Sequence, residues 1–234
     1  MRDIVFKAAV FLAGASIASF LNVYALRSLL DEDYVKGRSH CPYCYRQLTW
    51  WETFPLLGFL ILRGRCRHCH KRISFRYPLV ELTGGFVTLL IMSQQDSLYN
   101  RIIMGLFCAL LLVISLFDLD TMEVQESHLI FLAVLSLLYV NVNWGDRLLG
   151  AVIVSIPFMI INRFKLSFGE GDIILAAIMG FMTGSAHVLR SVTFAVWLGT
   201  PVALILILSR RKIRGEIMPF IPFLSAGFLL ALVF

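Results

Sequence analysis

Two kinds of side chain in this sequence recur at spacings that suit chemistry. Four cysteines form two C-x-x-C pairs, Cys41/Cys44 and Cys66/Cys69, with 21 residues between the pairs. That arrangement is close to the zinc-ribbon pattern, in which four thiolates close a tetrahedral structural site and leave no position open for catalysis. The second kind is carboxylate at the edge of apolar sequence. Asp172 lies in SFGEGDIIL (167–175), and Asp118 and Asp120 lie in LFDLDTMEVQESHL (116–129). Ionised carboxylates beside membrane hydrocarbon are costly, so their default reading is functional, with a partner elsewhere. Two carboxylates at close range share one proton, and such a pair can activate water against a peptide carbonyl and protonate the leaving amine.

The elements that must position these groups are membrane helices. The chain has 234 residues, 59% of them apolar and 15% charged, including 19 Phe, with a mean hydropathy of +0.80. This is far from soluble averages. The fold class expected is an all-α polytopic membrane protein with about eight transmembrane helices, near 4–26, 78–93, 101–117, 128–142, 146–162, 172–188, 190–209 and 217–234. The run 4–26 reads as a retained first helix rather than a cleaved signal. The domains expected are the first transmembrane helix (1–26), a cytoplasmic four-cysteine zinc-binding loop (27–77), and a helical membrane domain (78–234).

Sixteen of the 21 Lys and Arg fall in the connections after the first, fifth and seventh helices. The positive-inside rule makes those connections cytoplasmic and turns both termini outward. Topology therefore accounts for the net charge of +6, and nucleic acid is not expected as a partner. The same topology puts Asp172, at the opening of the sixth helix, and Asp118 or Asp120, after the third, at one depth on the cytoplasmic side.

Alone, G-x-G-D reads as a helix start with aspartate as N-cap; paired with a second acidic site it reads as half of a dyad. Gly169 and Gly171 are expected to permit close backbone approach and positive φ. Asp118 directly follows apolar sequence, whereas Glu123 and Glu126 mark a solvated helix end. On the cytoplasmic side disulfides are disfavoured, so the cysteines read as metal ligands. His40, His68 and His70 are not needed as ligands, and Cys108 reads as a small packed hydrophobe. Trp50 and Trp51, near FPLLGFLIL, suit a loop resting on the membrane interface.

Taken together, SIASFLNVYALR (16–27), the cysteine loop SHCPYCYRQLTWWETFPLLGFLILRGRCRHCHKRISFRYPLVELT (39–83), DLDTM (118–122) and GEGD (169–172) resemble, in order, the bacterial type IV prepilin peptidases. The resemblance implies an aspartyl endopeptidase of the bacterial inner membrane with its active site facing the cytoplasm. Such an enzyme cuts the short basic leader from prepilins and pseudopilins after a glycine, in pilus, secretion or competence systems. It also implies N-methylation of the new terminus with S-adenosylmethionine. Carried onto this chain, the catalytic residues are Asp172 and Asp118, with Asp120 in reserve. Glu81 is a candidate either for methyl transfer or for a structural role, capping or pairing with Arg76. Two positions depart from the family pattern: Val124-Gln125-Glu126 stands where Leu-Pro-Asp is usual, and Ile174 where Lys is usual.

Two other readings compete. A transporter or docking protein would use the carboxylates as a cation path, but no internal repeat of the transporter kind is visible. A protease of the signal-peptide-peptidase kind would carry Tyr-Asp within a helix centre, where this chain has Phe117-Asp118 at a helix end, and it leaves the cysteines unexplained.

Overall fold

A computed structural model describes residues 2–34, 37–94, 97–163, 169–208 and 218–234. Every regular element among them is helical. The chain divides into two compact units, Met1–Gln95 and Asp96–Phe234. Lys36, Lys165, Arg210, Arg211, Lys212 and Arg214, the Ser167-Phe168 start of the glycine loop and the first residue of the eighth expected helix lie outside the described residues.

In the first unit, α1 (Arg2–Ser28) and α3 (Arg76–Ser93) lie side by side, joined by the cysteine loop with its short α2 (Leu57–Ile61). Small residues let the two backbones touch. A Cβ built at Gly84 would run into Ala18, and one at Gly14 into Thr88 and the Gly84 carbonyl. Lipid tails are as apolar as leucine, so in a bilayer such close approach replaces the hydrophobic effect as the source of helix association.

The second unit contains α4 (Leu98–Thr121), α5 (Glu126–Leu138), α6 (Trp144–Arg163), α7 (Glu170–Thr183), α8 (Ser185–Leu208) and α9 (Ile221–Ala231). α6 packs on α7 and α8, α9 on α8 and α4, and α5 on α4 and α7. Buried Phe107, Leu111, Ile114, Phe117, Leu175, Met179, Leu224 and Phe228 form its core. Gly150 and Gly180 bring α6 and α7 into backbone contact, since a Cβ on either would meet the other's carbonyl.

Eight of the nine described helices stand where the eight apolar runs predict them. Four of them, α1, α4, α6 and α8, are long and apolar enough to cross a membrane, whereas α5 and α9 are shorter apolar helices of 13 and 11 residues. Thirteen residues reach only about 20 Å, against a hydrocarbon core of about 30 Å.

Three boundaries differ from expectation for identifiable reasons. α5 stops at Leu138 rather than near 142, because the buried Arg147 guanidinium takes the carbonyls of Ser136 and Tyr139 and stacks on Trp144 and Phe181. Arg147 is thus a helix clasp, not a loop cation. α7 ends at Thr183 rather than near 188, since Gly184 adopts φ +86° and Asp146 caps α8 by accepting from the Ser185 N–H and hydroxyl. α4 runs on to Thr121, so Asp118 and Asp120 belong to its last turn, not to a connection.

Candidate active site and metal centre

Asp118 is carried on α4 at the end of a buried stretch that contains Val113, Ile114, Leu116 and Phe117. The helix ends at Met122, whose left-handed φ of 56° turns the chain back towards α5. Asp118 is only 6% exposed, and its Oδ2 accepts the Ile221 N–H at the start of α9 at 3.2 Å. Asp120, two residues on, points to the exposed side.

Asp172 does not open its helix. Gly169 is the N-cap, Asp172 is the third helical residue, and its Oδ2 returns to accept the Gly169 N–H at 3.1 Å. This bond is the N3 half of a capping box, the glycine having no side chain to complete it; it satisfies an N-terminal donor and holds the carboxylate against its own helix. Neither glycine of the loop takes a positive φ, contrary to the sequence expectation: Gly169 is extended at φ −64° and Gly171 lies within the helix. What Gly171 supplies is room, because a Cβ there would sit 2.9 Å from Val124 Cγ2 in the α4–α5 turn.

Asp172 is 9% exposed, and the charge of Asp118 acts on it. The fold thus gathers two buried carboxylates, one from the last turn of α4 and one from the first turn of α7. Asp120, Glu123, Glu126 and Glu170 are exposed on the segments around them. Such a pair can hold one proton between two oxygen acids, with one carboxylate as base and the other as acid.

The cysteine loop is built from two similar turns. Cys41 donates its N–H to Arg46 and accepts from Tyr45, and Cys66 does the same with Lys71 and His70. Tyr45 and His70 take φ of 55° and 56° to close the turns. Antiparallel bridges His40–Gln47 and Arg65–Arg72 flank them. All four Sγ atoms lie within 4.8 Å of one another, and Cys41 Sγ stands 3.8 Å from Cys69 Sγ. Sulfurs about 2.3 Å from a tetrahedral zinc are about 3.8 Å apart, whereas a disulfide needs about 2.05 Å. The four thiols therefore fit a metal ion. Hydrogen bonds from the backbone at Cys69 and His68 hold the Cys66 thiol down at about 7, which favours the ligating thiolate. The gathered donor set is cysteine only; His40 instead stacks on Tyr45. Cys108 is buried in α4, away from this set.

Glu81 is buried near the start of α3, but its partner is not Arg76. Oε1 accepts from the Ser19 hydroxyl and Oε2 from the Leu56 N–H, each at 2.8 Å, while Arg76 Nε donates to Asn22. Sequence reading missed Ile221, Val124, Ser19 and Leu56 as partners. Three of these act through backbone or bulk, for which no motif exists.

Two family models match in order along the chain: the bacterial peptidase A24 N-terminal domain over residues 12–95 and the type IV leader peptidase family over 105–207. Three similar proteins carry the name prepilin leader peptidase/N-methyltransferase. That of Bacillus subtilis is 30% identical over 96% of this chain and 92% of its own length. That of Myxococcus xanthus is 32% identical over 88% of this chain, and that of Burkholderia pseudomallei 35% over 81%; in each case this chain spans 65% of the relative's length. No solved structure matches. A likeness that runs through nearly the whole of the Bacillus protein, with both family models in sequence, means that the chain belongs to the type IV leader peptidase family.

Proposed function

We propose that this chain is a membrane endopeptidase that removes the leader from prepilin-like proteins, with Asp118 and Asp172 as its catalytic residues. The observation that carries the proposal is the pair of buried carboxylates on α4 and α7, each held by a backbone N–H, with the charge of Asp118 acting on Asp172. In this reading the ionised carboxylate takes a proton from water as the oxygen attacks the scissile carbonyl. The protonated partner donates to the carbonyl oxygen and, as the C–N bond breaks, a proton reaches the leaving amine. The products are a leader ending in a carboxylate and a mature chain with a new amino terminus.

The substrate's apolar helix lies in the bilayer beside the unit that carries the dyad, with its basic leader in the cytoplasm. Asp120, Glu123, Glu126 and Glu170 attract that leader. The positive-inside distribution of Lys and Arg supports a cytoplasmic site and outward termini. The cysteine set, within residues 27–77, holds a structural zinc and organises the methyltransferase-associated loop, while residues 78–234 form the protease domain. The N-methyltransferase in the relatives' names supports N-methylation of the new terminus, and S-adenosylmethionine is the donor that such an activity would use. Both oxygens of Glu81 are already engaged, so we assign Glu81 a structural role and derive no step through the methyl donor.

The test is processing of a co-expressed prepilin-like substrate by wild type, Asp118→Asn, Asp172→Asn and Asp120→Asn. Asparagine keeps size and polarity but cannot share a proton. Loss of cleavage in the first two with retention in the third is the expected result; cleavage by all three variants overturns the aspartyl mechanism and favours a transport or docking role.

A further inference from the structure

We infer that α9 is a third element of the carboxylate site and that the hydroxyl pair Ser115–Ser225 holds its first backbone N–H on Asp118. The inference rests on the dyad reading of Asp118 and Asp172 and adds positioning residues to it. Ser115 Oγ lies 2.8 Å from Ser225 Oγ and, within α4, 2.8 Å from the Leu111 carbonyl. One turn further along α4, Asp118 Oδ2 meets the Ile221 N–H at 3.2 Å. Going from 115 to 118 ascends α4 while going from 225 to 221 descends α9, so the two contacts are successive rungs of one antiparallel pair. All four residues are buried.

The first turn of α9 has few N–H donors to spare, which gives the rung at Asp118 its weight. Pro222 has no N–H, and the N–H groups of Phe223 and Leu224 both go to the Phe220 carbonyl. That leaves Ile221 as the one first-turn donor directed to a partner outside the helix, and Asp118 receives it. The next ring contact along the α4–α9 interface, Phe107 with Phe228 at 5.5 Å between centroids, is apolar and tolerates sliding or rotation. A hydrogen bond does not, since it weakens steeply with misalignment. Ser115 and Ser225 therefore fix the register.

The experiment measures kcat, KM and the pH profile of kcat for leader cleavage. It uses the full chain in detergent and a synthetic peptide with a basic leader, a Gly-Phe junction and an apolar tail. The variants are Ser225→Ala, Ser225→Thr and Ser115→Ala/Ser225→Ala, with Asp118→Asn and Asp172→Asn alongside. Ser225→Ala is expected to lower kcat about fivefold, the scale of one hydrogen bond, to leave KM unchanged and to displace the pH profile; Ser225→Thr, which keeps the hydroxyl, restores both. Should Ser225→Ala not accumulate, the double variant, which leaves no buried hydroxyl without a partner, is measured in its place against the same expectation. Wild-type kcat and pH profile in the alanine variant, or an equal loss in Ser225→Thr with the profile unmoved, overturns the inference. If the Asn variants are inactive while the Ser225 variants behave as wild type, only this inference falls. If the Asn variants cleave normally, the dyad reading falls with it.

Discussion

Val124 closes over Gly171 so tightly that a single added methyl group at residue 171 would stand 2.9 Å from Val124 Cγ2 and 3.1 Å from its Cβ. The turn after Asp118 and the helix start that carries Asp172 are thereby keyed to one another without a polar contact.

Gly171→Ala is accordingly expected to push the two segments apart and to lower cleavage about 10- to 100-fold, the range that a displacement of about 1 Å at reacting groups produces. Shortening the opposing side chain should relieve the clash, so Gly171→Ala/Val124→Ala should recover much of the loss. Leader processing by the three variants, at matched membrane levels, checks this; a double variant no better than the single one contradicts it.

The exposed carboxylates Asp120, Glu123, Glu126 and Glu170 predict a salt effect. Screening lengths fall from about 10 Å at 0.1 M to about 3 Å at 1 M, so KM for a peptide with a basic leader should rise with ionic strength while kcat stays level. The combined variant Glu123→Gln/Glu126→Gln should raise KM at low salt and flatten its salt dependence. A peptide with a neutral leader serves as the reference, and equal salt dependence for both peptides would contradict the steering role.

Zinc analysis of the purified chain should find a single ion, matching the single gathered cysteine set among the described residues. Cys41→Ser or Cys66→Ser should abolish it, whereas Cys108→Ser, buried in α4, should retain it. Because structural zinc binding and folding are one equilibrium, the serine variants should also expose the 27–77 loop to limited proteolysis.

Gly84→Leu should separate α1 from α3, since even a Cβ there meets Ala18 and the Gly14 backbone. The cost expected is about 1–3 kcal/mol, the range for overpacking, read as a lower melting temperature. At Gly105 an added Cβ would have nothing within 4 Å. Gly105→Ala should therefore be neutral or stabilise by up to about 1 kcal/mol through helix propensity.

The helices were largely legible because long apolar runs have one stable answer in a bilayer. The cysteine pairs were legible because their chemistry depends on local spacing. The acidic pair emerged from topology alone, by asking which carboxylates share a side of the membrane. Hydropathy could not show that 172–188 breaks at Gly184, because the cap that starts α8 comes from Asp146, 39 residues earlier. Nor could it show that Glu81 turns to a serine and a backbone N–H instead of a nearby arginine. The role of Gly171 depends on the bulk of Val124, and the contact of Asp118 with Ile221 spans 103 residues. Neither leaves a local pattern to read.

The distance along the chain between Asp118 and Ile221 also has a meaning in time. At about 5–20 residues per second, the ribosome adds the 103 residues that separate them in about 5–20 s. Throughout that interval α4 exists without the N–H that holds its carboxylate. A nascent chain that has already inserted both Asp118 and Asp172 is consequently still without the donor on Asp118, and the setting of that carboxylate is completed late in biosynthesis.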